Sequence, residues 1–385
     1  MNGDEQLCHI CNSKNLTNLD KFEKLCRVTS DAKPYVKSGK LAICGDCNTL
    51  QKLVCETWDK EVKEIYENYS LYFQSNTSDQ IIYDQKTNSL KNRAEVIVEK
   101  IVEYIDSSRE EKNFLDFGCG KGAFLKAFSK TFPDWNIYGA DSGDIQEDDI
   151  RKLPKFREYY SCGLNEIEKN FDLISLIHVL EHIPSPIKLL EDIKRKLSPS
   201  GLSVIQVPNA SINQIDLVIA DHCSHFTVKT LKNILIKSDL EIVFMSENWI
   251  SKEITCIVKK NLVPGKCFVQ EDQLSFEAAL LQAQSNLSLL VDAVKNCKKI
   301  IKKFPNYGIF GTSIAAVWLD TELNKSAQFF CDEDLGRINK EFIGRKVRHP
   351  KEVGLGSIVL MPMVGAVGKK IAARYENFET IYCFR

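Results

Sequence analysis

The chain reads as an α/β protein with a Rossmann-like core, and three observations carry that reading. The first is the run from Phe114 to Leu125, Phe-Leu-Asp-Phe-Gly-Cys-Gly-Lys-Gly-Ala-Phe-Leu. It spells a short apolar strand bearing Asp116, a loop with Gly118, Gly120 and Gly122, and a helix start. Glycines at alternate positions let the backbone turn tightly and let a ligand approach the main chain, with the helix N-terminus facing it. The second is Asp141, which closes the apolar run Asn136-Ile-Tyr-Gly-Ala-Asp141 and stands 19 residues beyond Gly122. An acid about 20 residues past such a loop is placed to grip a ribose hydroxyl. The third is a repeat of that arithmetic: Tyr307-Gly308-Ile-Phe-Gly311-Thr312-Ser313 is followed by Gln328-Phe-Phe-Cys-Asp332, with Asp332 21 residues beyond Gly311. The glycine signature of this second unit is thinner.

A length of 385 residues suggests two or three domains with real cores. At 44% hydrophobic and 27% charged, the composition is that of an ordinary globular protein. A net charge of −1 leaves no electrostatic footprint for nucleic acid or an anionic membrane. The polar, acidic start is unlike a signal or transit peptide. The longest apolar candidate, Gly354 to Gly368, is broken by Ser357, Pro362 and glycines, short of the roughly 18 residues a membrane helix needs. The 14 cysteines then point to thiols and metal ligands in a reducing cytoplasm.

Cys8-His-Ile-Cys11 and Cys44-Gly-Asp-Cys47 are two Cys-x-x-Cys knuckles. Each puts two thiolates on one turn, and together they complete a tetrahedral structural Zn2+ site with no open position. The spacer from Asn12 to Ile43 is longer than in common zinc ribbons, which costs little closure entropy. Gly45 is expected at positive φ, His9 exposed, and Cys26 and Cys55 in packing; the other reading of the four thiols is unliganded or redox-active.

Along the chain, Glu56–Tyr69 and Leu90–Ile105 read as helices by their apolar periodicity. Tyr72 and Ser75, in the hydroxyl-rich stretch Tyr69–Ser78, are candidates for the mouth of a cofactor or substrate site; aromatic packing at a junction is the alternative. Ala123–Phe132 continues the glycine loop as a helix. Phe171–Ile177 reads as the fourth strand, ending at His178. The string His178-x-x-Glu181-His182 also spells an inverted zinc-protease motif, whose chemistry needs one continuous helix. The β-rich run before it and Pro184 after it favour a strand end and turn. Leu189–Leu197 is a helix and Gly201–Asn209 a fifth strand, with 241–244 and 253–258 completing the sheet. Asp221-His222-Cys223-Ser224-His225 falls at the carboxyl edge of that sheet, where open α/β folds keep substrate sites. His222 and His225 are close if the turn is helical, and a histidine trades protons near neutral pH. The alternative is a capping Asp and a packed His. Ser275–Lys303 reads as a long amphipathic helix whose terminal lysines complement its C-terminus. Ser357–Met361 gives the second α/β unit a third strand.

The spacing Asp116-x-Gly-x-Gly-x-Gly122 differs from the Gly-x-Gly-x-x-Gly of dinucleotide dehydrogenases and resembles motif I of the class I S-adenosylmethionine-dependent methyltransferases. The chain as a whole resembles the sugar C-methyltransferases that methylate nucleotide-linked 4-keto deoxysugars in bacterial glycan and antibiotic pathways. Phe330-Cys-Asp332-Glu-Asp334, Gly344-Arg345, His349-Pro350 and Ser357–Met361 look like that family's C-terminal domain. The resemblance implies a zinc-binding segment with a lead-in helix at 1–78, a methyltransferase core at 79–262, a linking helix at 263–304 and a Rossmann-like domain at 305–385. It implies S-adenosylmethionine held by Asp116, Gly118, Gly120, Gly122, Asp141, His178, Tyr72 and Ser75, and zinc held by Cys8, Cys11, Cys44 and Cys47. The family's Tyr-x-Glu-His appears here with Asp221-His222 in its last two positions and Ile219 in the tyrosine position. The implied mechanism has His222, oriented by Asp221 and with His225 nearby, removing a proton acidified by the 4-keto group before the carbon attacks the sulfonium methyl. The implied substrate is a nucleotide sugar, the implied form a cytoplasmic monomer or small homo-oligomer without nucleic-acid or membrane partners. Alternatives are an O-methyltransferase of another small molecule or glycan, a non-catalytic sugar-nucleotide- or protein-binding module, and a nicotinamide oxidoreductase.

Overall fold

The fold is organised by the sheet that the glycine run begins. A computed structural model describes residues 6–69, 81–84, 89–106, 111–141, 147–262, 275–363 and 366–384. Its central sheet has β1 (Asn113–Phe117), β2 (Asn136–Ala140), β3 (Phe156–Tyr160), β4 (Phe171–Ile177), β5 (Leu197–Pro208), β6 (Leu240–Ser246) and β7 (Glu253–Lys260). Their spatial order is β3-β2-β1-β4-β5-β7-β6. The first five strands run parallel, and β7 is antiparallel to both β5 and β6. The order reverses between β1 and β4, so a crevice opens there at the carboxyl ends. Strands covered on both faces read as continuous apolar runs, which is why β1 and β4 are so rich in Phe, Leu and Ile. Phe114 of β1 packs on Phe128 of the Ala123–Thr131 helix, ring centroids 4.0 Å apart. The class is the mixed α/β, Rossmann-like one expected from sequence.

Some elements differ from expectation for local reasons. The helix read from Leu90 begins at Arg93, because Ser89–Asn92 pairs as a strand with Ile81–Asp84 and Asn92 takes the extended capping conformation. The helix read from Leu189 begins at Pro186, whose fixed φ suits a first helical turn. β3 and the C-terminal strands Arg345–Arg348 and Phe378–Tyr382 carry too little alternation to stand out.

The N-terminal segment forms its own antiparallel sheet from Leu16–Asn18, Leu41–Cys44 and Leu50–Lys52. Its fourth strand, Ser224–His225, arrives from the segment beyond β5, with Ser224 opposite Gln51 and His225 opposite Leu50. Positive φ falls on Asn12 and Asn48, one after each knuckle, rather than on Gly45; Asn tolerates this conformation through its short polar side chain. Gly45 answers a different need, since a Cβ there would lie 2.2 Å from Asn15 Nδ2. His9 is half-buried rather than exposed, its Nε2 2.8 Å from Ser224 Oγ.

A third sheet runs Tyr307–Phe310, Phe329–Cys331, Arg345–Arg348, Ser357–Met361 and Phe378–Tyr382 in parallel, with Glu341–Phe342 antiparallel at one edge. The Phe276–Lys303 helix buries Leu287, Leu290, Ala293 and Val294 in one core with Phe22, Val28, Leu217 and Trp318. Trp318 Nε1 donates to Cys26 O at 3.2 Å, and Glu322 Oε1 accepts from Cys26 N at 2.6 Å. Those bonds tie the N-terminal segment to the Ile314–Glu322 helix that follows the first strand of the C-terminal sheet.

Gly118 combines a positive φ of 79° with a close approach, since a Cβ there would lie 2.3 Å from Val179 Cγ2. Gly118→Ala is expected to lower unfolding stability by about 2–3 kcal/mol from strain and overpacking, read as a lower urea midpoint with unchanged slope.

Candidate active site

Two groups of residues meet at the carboxyl edge of β1, β4 and β5. The first is the glycine corner. Gly118 N and Cys119 N both donate to Ala140 O, at 2.7 and 3.0 Å, stitching the loop to the end of β2. Gly118, Gly120 and Gly122 all take positive φ, which L side chains resist. Asp141 Oδ2 accepts from Gly120 N at 2.9 Å, so the second acid reaches back into the loop. Asp116 is buried and accepts from Ser175 Oγ at 2.6 Å; burial pushes its carboxyl up to about 7 despite that bond. The corner therefore brings Asp116, Gly118, Gly120, Gly122 and Asp141 together. Tyr72 and Ser75 lie outside the described residues.

The second group is a buried network of histidines and carboxylates. His222 Nδ1 and His225 Nδ1 lie 2.6 Å from the two oxygens of one carboxylate, Asp216 Oδ1 and Oδ2. Asp216, rather than Asp221, is thus the acid that orients His222. Asp221 faces another way: it accepts from Ser30 N at 2.9 Å and lies 3.4 Å from His182 Nδ1. The reason is local. The turn at Gln214–Val218 folds back under His222, while the backbone at Ala220 bonds to Val28 O and draws Asp221 toward the N-terminal segment. His182 stands edge-on to His222, ring centroids 4.4 Å apart, with Nδ1 within reach of Asp221 O (3.1 Å) and Tyr66 Oη (3.2 Å). His178, at φ 57°, ends β4 as expected and bonds Glu181 Oε1 through Nδ1 at 3.0 Å. The step from 180 to 182 is a single 3-10 turn, so no continuous helix carries the inverted protease motif. Lys52 Nζ, from the N-terminal sheet, reaches His225 Nε2 at 3.2 Å and the carbonyls of Ile219 and His222.

The electrostatics separate the two Asp216 histidines. Burial alone would lower His222, but its bond to the Asp216 charge outweighs this and holds it above 6.5. His225 is pushed down to about 4 by burial and by Lys52. Burial also pushes Lys52 down to about 7, partly restrained by Asp216. A neutral His225 donates from Nδ1 to Asp216 and accepts from Lys52 at Nε2. When His222 is neutral, the Asp216 bond keeps its proton on Nδ1 and its lone pair on Nε2.

Asp216, Lys52, Tyr66, Glu181 and His182 were not singled out as site residues from sequence. Asp216 sits in Gln214-Ile-Asp-Leu-Val, an apolar stretch without a motif, and Lys52 and Tyr66 lie far away in the chain. The adjacent Glu181-His182 pair was the only signal available, within a motif that spelled other chemistry.

The knuckles converge as spaced. Cys8 Sγ lies 3.6 Å from Cys47 Sγ and Cys11 Sγ 3.5 Å from Cys44 Sγ, with all four sulfurs within 4.8 Å of one another. Those separations suit a tetrahedral ion with metal–sulfur bonds of about 2.3 Å. Gln51 Nε2 donates to Cys8 Sγ at 3.0 Å, one residue from Lys52.

Residues 89–244 match the family described as methyltransferase domain, and the central sheet with its glycine corner is a class I methyltransferase domain in fold. Among curated relatives, a ubiquinone biosynthesis O-methyltransferase of Actinobacillus pleuropneumoniae serotype 7 (strain AP76) is 28% identical over 120 residues, 28% of this chain and 50% of that protein. A tRNA U34 carboxymethyltransferase of Nautilia profundicola (strain ATCC BAA-1463 / DSM 18972 / AmH) is 29% identical over 150 residues, 37% of this chain and 47% of that protein. The chain thus spans about half the length of these relatives. Among solved structures, an S-adenosylmethionine-dependent methyltransferase from Clostridium acetobutylicum ATCC 824 aligns at TM-score 0.36 and 14% identity, over 52% of this chain and 98% of that one. The mitomycin 7-O-methyltransferase MmcR aligns at TM-score 0.37 and 16% identity, over 44% and 53%.

In a histidine NMR titration, His222 is expected to titrate above 6.5 and His225 near 4. Asp216→Asn removes the anion but keeps the burial, so His222 should fall by about one unit or more. The sign for stability follows: the raised His222 value stabilises the fold fully below the unfolded pKa, and that contribution is lost as pH rises through the folded value. Urea unfolding across this window should show the loss in the parent chain and not in Asp216→Asn.

Proposed function

We propose that the protein is an S-adenosylmethionine-dependent methyltransferase acting on a nucleotide-linked keto deoxysugar, with His222 as the general base. The observation that carries the proposal is the buried His222–Asp216 pair, 2.6 Å apart, beside a glycine corner at the carboxyl edge of one parallel sheet. The end of β4 lies beside both: Gly118 packs against Val179, and His182, three residues on, stands edge-on to His222.

The corner fits the cofactor. The close approach of Gly118 to Val179 and of Gly122 to Ile150 leaves no room for a side chain at either position, so the loop presents main chain there. Asp141 supplies a carboxylate for ribose hydroxyls, and Asp116 a buried acid at the end of β1. Gly118, Gly120 and Gly122 let the main chain approach the bound molecule, and His178 closes the β4 side. S-adenosylmethionine supplies an electrophilic methyl on a sulfonium.

On the acceptor side, a keto group acidifies the adjacent C–H. The Asp216 bond fixes the His222 tautomer so that Nε2 takes that proton, and the resulting imidazolium is stabilised by the same carboxylate. Alignment of the acceptor carbon with the methyl supplies most of the acceleration. Support for a sugar acceptor is the order of parts: a four-thiol segment, a methyltransferase domain, a long helix and a second parallel sheet. Transfer to oxygen is the second reading, favoured by relatives named as O-methyltransferases. There the same Nε2 would deprotonate a hydroxyl.

Cys8, Cys11, Cys44 and Cys47 are proposed to hold one structural zinc, since four thiolates close the coordination shell and leave no catalytic position. Its reach extends to the base, because Leu50–Lys52 pairs with Ser224–His225 and Lys52 bonds the His222 carbonyl. Elemental analysis after chelator washing should find one tightly held equivalent, and a Cys8→Ser, Cys44→Ser double variant should lose it together with the protection of the 222–225 amides from exchange.

Calorimetry decides the enzyme reading: S-adenosylmethionine or its demethylated product should bind, and an absence of heat from both sinks it. His222→Ala is expected to cut turnover by about 100-fold or more while cofactor affinity holds; an unchanged rate removes His222 from the mechanism.

A further inference from the structure

The histidine cluster has ligand geometry that a base does not require. Glu181, His182 and His222 each offer one donor atom, and the three atoms lie within 4.8 Å of one another. One atom of each side chain is already engaged. Glu181 Oε1 is held by His178 Nδ1 at 3.0 Å, and His222 Nδ1 by Asp216 at 2.6 Å. His182 Nδ1 is held by Asp221 O at 3.1 Å and Tyr66 Oη at 3.2 Å. That leaves Glu181 Oε2, His182 Nε2 and His222 Nε2 for a common guest. Glu181 is fully buried and its Oε2 has no hydrogen-bond partner. A buried carboxylate oxygen left unmatched is costly, and a cation between the three donors would satisfy it.

We propose that Glu181, His182 and His222 form a second, reversible site for a divalent transition ion of the zinc class. Filling it switches methyl transfer off by occupying His222 Nε2. The metal site stands on geometry alone; the switch rests on the reading of His222 as the base. Two imidazoles and one carboxylate suit Zn2+ or Co2+ better than Mg2+ or Ca2+, which prefer oxygen shells. The surrounding bonds are those that orient metal ligands: a carboxylate behind one histidine, a carbonyl behind the other, and an imidazole behind the glutamate. Donors bound at about 2.0–2.1 Å sit about 3.3 Å apart in a tetrahedron, so small rotamer changes close the cluster. Three protein ligands leave one position for water, in contrast to the closed four-thiol set, and make the site the weaker of the two.

The test uses the full chain, washed with chelator so that the cysteine-held equivalent remains, then equilibrated with Zn2+ or titrated with Co2+. Elemental analysis should find a second equivalent of zinc. Added Co2+ should give visible d–d bands without the near-ultraviolet thiolate-to-cobalt band. Both signals should disappear in Glu181→Gln and in His182→Gln, each first shown by circular dichroism to be folded. In the zinc-loaded chain the His222 NMR signal should cease to titrate. Failure to take up a second equivalent, or its persistence in both variants, overturns the site. Uptake with His222 titrating unchanged overturns the switch. Absence of cofactor heat, by contrast, sinks the methyltransferase reading and leaves the metal count standing.

Discussion

The burial of one carboxylate, Asp216, between two histidine rings constrains the rest of the structure. An ion taken out of water costs several kcal/mol, and only close, well-aligned partners offset it. Asp216 has them in His222 and His225, each at 2.6 Å, with Lys52 behind His225. These partners come from separate stretches. Lys52 belongs to the N-terminal sheet, and residues 216–225 follow β5. The Glu181-His182 turn follows β4, and His182 lies against His222. None of the three can shift without exposing a charge or stranding a donor. The methyltransferase domain and the four-cysteine segment are therefore one electrostatic unit, joined at residues 50–52 and 224–225.

The glycine corner is rigid for another reason, steric rather than electrostatic. Its loop is drawn onto the end of β2 by paired amide bonds and pressed against Val179. A similar corner recurs in the C-terminal sheet. Gly311 N donates to Cys331 O at 2.7 Å and Thr312 N to Asp332 Oδ2 at 2.9 Å, much as Gly118 N donates to Ala140 O and Gly120 N to Asp141 Oδ2. The second corner is closed by its own residues. Thr312 Oγ1 also donates to Asp332, and the Arg337 guanidinium lies 3.7 Å from the same oxygen. There the acid works as a joint of the fold.

This contrast explains what was legible in the sequence. The strand–loop–helix corner is encoded over a dozen residues, and its acid sits one βα unit further on, so spacing alone exposes Asp116, the three glycines and Asp141. The cysteine knuckles are legible for the same reason, since each pair lies on one turn. The His222 network is different, because it gathers residues from distant stretches, as in the bond from Lys52 to His225, 173 residues apart. Neither Asp216 in an apolar stretch nor Tyr66 on a helix face carries any local pattern. Asp221, adjacent to His222, was the natural choice of partner. The turn at 214–218 brings Asp216 beneath the ring instead and leaves Asp221 to Ser30 and His182.

The departure at Ile219 can be understood in the same terms. A phenol is absent from the segment where the resemblance places one, and Ile219 is buried in the core shared with the Phe276–Lys303 helix. A phenol nevertheless reaches the cluster, as Tyr66 Oη stands 3.2 Å from His182 Nδ1 at the end of the Glu56–Glu67 helix. Tyr69 Oη, one turn on, stands 3.1 Å from Ser30 Oγ, which itself bonds Asp221. The hydroxyls thus come from the N-terminal segment and bond His182 and Ser30 rather than His222 itself. Tyr66 as a residue is 43% exposed while His222 is buried, so the helix that carries this phenol faces solvent where the cluster does not. The N-terminal helix and the histidine cluster are thus joined by side chains that lie far apart in the chain.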